Sequence, residues 1–343
     1  MSQVNQGTAT FSGLLDLLAE SMGGQALATN DEFFAEASNL VKPGRGIFDP
    51  DRYTDRGKWM DGWESRRKRG PGYDWCILKL GVPGIIRGLD IDTNHFLGNH
   101  APYASLGAAF LKPGQSLDDA AWEEVLCQSA LHAGSQNLFS VQSDKVATHV
   151  RLNIFPDGGV ARLRVFGEVK TDWADSDDDL DADIVSRRAE SEVDLVAARH
   201  GALALACSDM FFSSMNNLIL PGRAANMGEG WETRRRRGPG FDWVLIRLSQ
   251  PGQINWMEIS THHYKGNYPD RCMIEAIDAP DTRITDLMEA DCRPFLPEYK
   301  LKADTRHFVR DELLDVGNIT HLRLNIYPDG GISRLRGYGK VKG

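Results

Sequence analysis

The sequence predicts an all-β protein built from two tandem β-sandwich-like domains, and three observations predict it. Long segments return in the same order along the chain. "GWESRRKRGPGYDW" at 62–75 reappears as "GWETRRRRGPGFDW" at 230–243, and "THVRLNIFPDGGVARLRVFGEV" at 148–169 as "THLRLNIYPDGGISRLRGYGKV" at 320–341. The offset, roughly 170 residues, is the size of a domain and far beyond a solenoid repeat. Within each copy, short β-rich runs lie between Gly- and Pro-containing turns, and long helical periodicity is scarce.

Each element follows in order. "DLLAESMGGQALATNDEFF" at 16–34 pairs with "DLVAARHGALALACSDMFF" at 194–212, and "NLVKPGR" at 39–45 with "NLILPGR" at 217–223. "DWCILKL" and "DWVLIRL" read as strands, each ended by a Pro-Gly turn (Pro83-Gly84, Pro251-Gly252) before a further strand. Residues 115–127 and 281–290 read as short helices or loops. The "PDGG" at 156–159 reads as a hairpin turn that sets Phe155 opposite Val160, Asn153 opposite Arg162 and Arg151 opposite Arg164. One face of that hairpin (Val150, Leu152, Ile154, Ala161, Leu163, Val165) is wholly apolar and belongs on the core. Two arginines facing each other on the other side repel, so an anion, from the protein or from a ligand, is expected against them. The expected domains are 1–170 and 194–343, joined by an acidic linker at 171–193, whose Asp-rich run repels itself and buries little.

The 343 residues carry a net charge of −9. That excludes nucleic acid as a main partner, which needs a surplus of Lys and Arg. No apolar run reaches membrane-spanning length, so no membrane partner is expected. The five cysteines are scattered, in no C-x-x-C pair, and the N-terminus lacks a secretory pattern. A cytoplasmic protein with reduced thiols is the expectation.

No H-E-x-x-H, G-x-S-x-G, phosphate-loop or dinucleotide-loop pattern is present. No tight ligand spacing announces a metal, so metal ligands are not assigned. What stands out is a polar set shared by both halves. Glu64, Asp92 and His95 are the candidate catalytic residues, because Glu, Asp and His act as acid and base once burial tunes them. Arg66, Asn99 and Arg151, with Glu232, Arg234 and His263 of the second half, are the candidate substrate-binding residues; an Arg fork suits a carboxylate. Asp92 is Ser260 in the second half, His100 is Tyr268 and Asn137 is His307. The first half alone carries "IFDPDRYTDRGKWM" at 47–60. One site per chain is expected, made mainly by first-half loops and completed by the second half or a neighbouring subunit; two independent sites are the alternative.

"DGWESRRKRGPGYDW", "DTNHFLGN", "GNYPDRCMIEA" and "LRLNIYPDGGISRLR" resemble the allantoicase (allantoate amidinohydrolase) family over nearly the whole chain. The resemblance implies two jelly-roll β-sandwiches of the galactose-binding-domain-like kind. It implies hydrolysis of allantoate to ureidoglycolate and urea in purine (allantoin) degradation, a homo-oligomer, and in some members a divalent metal such as Mn2+. Two alternatives stand beside it: a non-catalytic tandem sugar- or anion-binding protein, and a hydrolase of another ureide such as ureidoglycolate.

Overall fold

The computed structural model describes residues 11, 14–170, 181–280, 282–287 and 289–342. The chain divides into two compact units, Met1–Thr171 and Asp172–Gly343. Each contains one folded eight-stranded antiparallel sheet of the same strand order, so the all-β tandem architecture stands.

The organising element of the first unit is a 19-residue strand, Asp74–Asp92. Its first half pairs with Val146–Phe155 and Gln25–Thr29; its second half pairs with Arg162–Val169 and Gln136–Ser140. The strand thereby crosses from one layer of the sandwich to the other. Cys76, Leu78, Leu80 and Val82 point into the core along the first half, Leu89 and Ile91 along the second. The inward parity changes at a bulge around Arg87, where Ile86 pairs with Gly167 and Gly88 with Phe166. This sends Asp90 and Asp92 to the opposite face from Leu89 and Ile91. Asp242–Ser260 repeats the arrangement in the second unit.

Two expectations are corrected here. Pro83-Gly84 and Pro251-Gly252 are not turns. They lie inside the long strands, at the crossing where one set of partners gives way to the next, and a proline's missing N–H is tolerated at such a break in the ladder. The "PDGG" hairpin does not form either. Val146–Phe155 pairs with the long strand and with Tyr103–Ala109, whereas Arg162–Val169 joins the other layer. Between them Gly159–Val160 pairs with Trp63–Glu64. Both arms turn apolar faces to one core from opposite sides. A periodic pattern fixes which face is buried and leaves open which layer the strand joins.

The Arg151–Arg164 repulsion therefore does not arise. Arg151 lies over the Trp75 ring at 4.9 Å. Arg164 is opposite Asp90 in register and 3.6 Å from Asp16, so protein carboxylates face it.

Lys68 and Arg236 of the basic motif are paired with acids of their own repeats. Lys68 pairs with buried Asp74 at 2.7 Å, and its backbone N–H donates to Asp157 at 2.7 Å; Arg236 does the same with Asp242 and Asp329. Residues 115–127 hold a single 3-10 turn, Leu117–Asp119, and the start of a strand, Glu123–Ala130; the other expected helix is the single turn Ile284–Leu287.

Part of the expected acidic linker is structured. The helix Ala182–Arg187 sets Ile184 against Trp256 and Tyr338, and Glu192 accepts hydrogen bonds from Asn255 and Trp256. A few apolar and hydrogen-bonding residues thus dock 181–193 onto the second unit despite its charge. Residues 171–180 lie outside the described residues.

Candidate functional site

The second half of each long strand ends among arginines, and the two repeats treat that end differently. In the first, Asp90 and Asp92 stand opposite Arg164 and Arg162, with Gln136 beside Asp92. The Pro43-Gly44-Arg45 turn reaches over them. Gly44 takes the left-handed φ of 65°, and its carbonyl accepts from Arg164 at 2.6 Å. Arg45 then grips Asp92 with both arms of its fork, at 2.7 and 2.8 Å. Asp90 is pushed up to about 6, chiefly by burial and also by the neighbouring Asp92 charge, against the hydrogen bond from Gln136. The charges of this end are settled internally.

In the second repeat the scaffold is the same and several side chains are exchanged, with Glu258 opposite Arg336 where Asp90 stood opposite Arg164. Ser260 stands opposite Arg334, where Asp92 stood opposite Arg162. Arg306 takes the place of Gln136 beside it. Two residues beyond Ser260, His262 replaces Asn94; two before Arg306, Asp304 replaces Gly134. The strand end thus exchanges the Asp92 carboxylate for a hydroxyl and gains the Arg306 guanidinium, while Asp304 brings a carboxylate in beside His262. It also opens into a cavity of about 400 Å³, bordered by Arg223, Glu258, Ser260, His262, Arg306 and Arg334.

The borders are held firmly. Arg306 forks Glu258 at 2.6 and 3.0 Å and reaches Asp181 and Asp183 at 3.0 Å, on and before the helix Ala182–Arg187. Arg334 and Arg336 donate to backbone carbonyls, Gly222 among them. Asp304 accepts from the backbone N–H of His263 at 2.7 Å, and its carboxylate lies 3.0 Å from His262 Nδ1.

This pair can act as base and orienter. The carboxylate places the imidazole proton on Nδ1, which leaves the Nε2 lone pair available. Burial, the adjacent His263 and Arg223 hold His262 below the usual histidine range, while Asp304 pulls it back up. Asp304 has φ 48°, and its first-repeat counterpart Gly134 has φ 59°. A side chain placed where the twin domain uses glycine costs backbone strain, which is found where function needs the group.

The residues singled out from the sequence fall into separate places. Glu64 and Asn99 do meet, at 2.7 Å, and border a second cavity of about 500 Å³ with His100 and Asp157. Burial raises Glu64, against the bond from Asn99. Glu232 and Asn267 repeat the contact. Asp92 is closed by Arg45. His95 stacks on Phe48 at 5.7 Å, and His263 Nε2 lies 2.8 Å from the Ala224 carbonyl; both hold left-handed turns, at φ 67° and 70°. Arg66 pairs with Asp31 at 2.7 Å. Arg234 lies over the Phe211 ring at 4.3 Å. The structure does not gather Glu64, Asp92 and His95 into one constellation, because Asp92 and His95 each have partners away from the Glu64 cavity. Arg223, His262 and Asp304 were not singled out from the sequence, and Ser260 only as the counterpart of Asp92; a residue-by-residue comparison of the repeats reveals them.

A family model described as Allantoicase repeat matches residues 15–170 and 193–342. The chain belongs to the allantoicase family. A probable allantoicase of Photobacterium profundum is 44% identical over 331 residues, covering 96% of this chain and 97% of that one. One from Pseudomonas aeruginosa is 43% identical over 339 residues, covering 98% and 99%. The crystal structure of the allantoicase of Saccharomyces cerevisiae has a TM-score of 0.80 at 32% identity, covering 95% of this chain and 92% of that one. The tandem sandwich described above is thus the allantoicase fold.

Among the described residues, no three His, Cys, Asp or Glu side chains are grouped to hold a metal ion. No helix is long and apolar enough to cross a membrane.

Proposed function

We propose that this chain hydrolyses allantoate to ureidoglycolate and urea, and that the chemistry takes place in the second-repeat cavity. Its volume of about 400 Å³ lies within the range of small-molecule sites. The observation that carries the assignment is the Asp304–His262 pair, which only the second repeat has and which keeps a strained backbone at the cavity edge. A module that only bound sugars or anions would have no use for a base oriented at such cost.

In this reading His262 Nε2 takes a proton from water. The water oxygen bonds to the central carbon of allantoate as the bond from that carbon to one ureido nitrogen breaks. The departing nitrogen takes up a proton, which the imidazolium can return, and leaves as urea. The cavity arginines hold the substrate while this happens.

A cytoplasmic location is supported by five free cysteines, two of them buried. Self-assembly rests on the family resemblance.

The test is urea release from allantoate by the purified chain, before and after chelation and with Mn2+ added back. His262→Asn installs the first repeat's residue and is expected to lower kcat by roughly 100-fold or more. Absence of urea under every metal condition would remove the enzymatic assignment; a wild-type rate in the variant would remove His262 as base.

A further inference from the structure

We infer that Arg223 is the seat for the substrate carboxylate, vacated by the exchange of aspartate for Ser260, and that Asp92 fills the corresponding seat of the first repeat from within. The chain then has one site for a small carboxylate and an internally plugged twin. This deepens the reading of the cavity as the active site and rests on it.

The twin repeat supplies the template. Arg45 and Arg223 leave matching turns: Gly44 and Gly222 have φ of 65° and 64°, and their carbonyls accept from Arg164 and Arg336 at 2.6 and 2.9 Å. The residue under each arginine is also set alike. Asp92 accepts from the backbone N–H two residues on at 2.9 Å, and Ser260 Oγ does so at 3.3 Å. The Arg45–Asp92 fork therefore marks where a carboxylate sits against this loop. A serine is too short to fill that place, and space opens above it. Among the described residues Arg223 has no ion-pair or hydrogen-bond partner, whereas Arg306, Arg334 and Arg336 are engaged by carboxylates and carbonyls.

The neighbourhood matches the chemistry of an α-ureido acid. In such a substrate the carbon that loses urea is bonded directly to the carboxylate carbon, so the base must lie beside the carboxylate seat. Ser260 and His262 are two residues apart on one turn, and Arg223 and His262 border the same cavity. A bidentate guanidinium contact to that carboxylate would fix the reacting carbon relative to His262.

The test uses the full chain and N-carbamoylglycine, which keeps the carboxylate and one ureido arm but has no second urea to lose. Calorimetry of the wild type is expected to give one site per chain. Ser260→Asp, which supplies the plug, and Arg223→Met, which removes the fork, are each expected to weaken binding roughly tenfold or more and to raise KM for allantoate. Asp92→Ser is expected to open a second site per chain. Thermal melts show whether the variants fold, and the first repeat shows that aspartate is accommodated at this position.

Wild-type affinity in both folded second-repeat variants, or no binding by the wild type, overturns the seat. A single site in Asp92→Ser overturns the plugged twin. The two readings fail separately. Urea release with unaltered KM in Ser260→Asp sinks the anchor and leaves hydrolysis standing. Binding lost on Ser260→Asp in a chain that releases no urea leaves the anchor and sinks hydrolysis.

Discussion

Replacing Asp304 with glycine, the first repeat's residue, separates the chemistry of this site from its folding. Asp304 holds φ 48° and accepts two hydrogen bonds, from the His263 backbone at 2.7 Å and from His262 at 3.0 Å, with a side chain 36% exposed. Glycine relieves the left-handed strain and surrenders both bonds, and these effects oppose one another. The melting temperature is therefore expected to move by no more than about 4 °C. The imidazole, in contrast, loses the group that orients it and fixes its tautomer. A positioned base supplies about 10²–10⁴-fold, so a fall of roughly 100-fold in kcat is expected. The pH profile gives an independent sign. Asp304 raises the His262 pKa, so its removal moves the acid limb of kcat/KM to lower pH. Urea release across pH and thermal denaturation measure both quantities. Unchanged turnover, or an acid limb displaced to higher pH, would refute the reasoning.

Glu64→Gln keeps an acceptor for Asn99 and sits outside the second-repeat cavity, so kcat for urea release is expected within about threefold of wild type; a hundredfold loss would return the chemistry to the first repeat. Asp90 has a folded pKa of about 6 against an ordinary 3.8. Its protonated form is favoured by folding, so that stabilisation is complete below pH 3.8 and is lost as pH rises through about 6, by roughly 2–3 kcal/mol at most. Asp90→Asn is expected to remove this part of the dependence, seen as a stability difference from wild type that grows across that window in denaturant titrations. Parallel curves would show that burial does not hold the proton on Asp90.

The doubling of the fold was legible because whole segments recur and because apolar alternation marks which face of a strand is buried. Strand partners were less legible. Nothing in "DWCILKLGVPGIIRGLDID" shows that one strand can pass a proline and change layers, and the arms around "PDGG" carry the same pattern whether they pair or face each other across a core. The site was misplaced for a physical reason as well. An aspartate at the end of a strand reads as reactive, but Asp92 is neutralised by Arg45, a contact between residues far apart in the chain. The change from Asp92 to Ser260 was visible, but the site was expected mainly in first-half loops. Read with Asn94 to His262, Gly134 to Asp304 and Gln136 to Arg306, the substitutions converge on one end of the second domain, and only the strand register shows that they are neighbours.

The strand that serves both layers of each domain also bears on how the domain comes apart. Each layer is hydrogen-bonded to its own half of one continuous strand, so disordering that strand removes the central ladder of both layers. Each sandwich is expected to melt in a single step, and the amides of Asp74–Asp92 and Asp242–Ser260 to be among the last to exchange with heavy water.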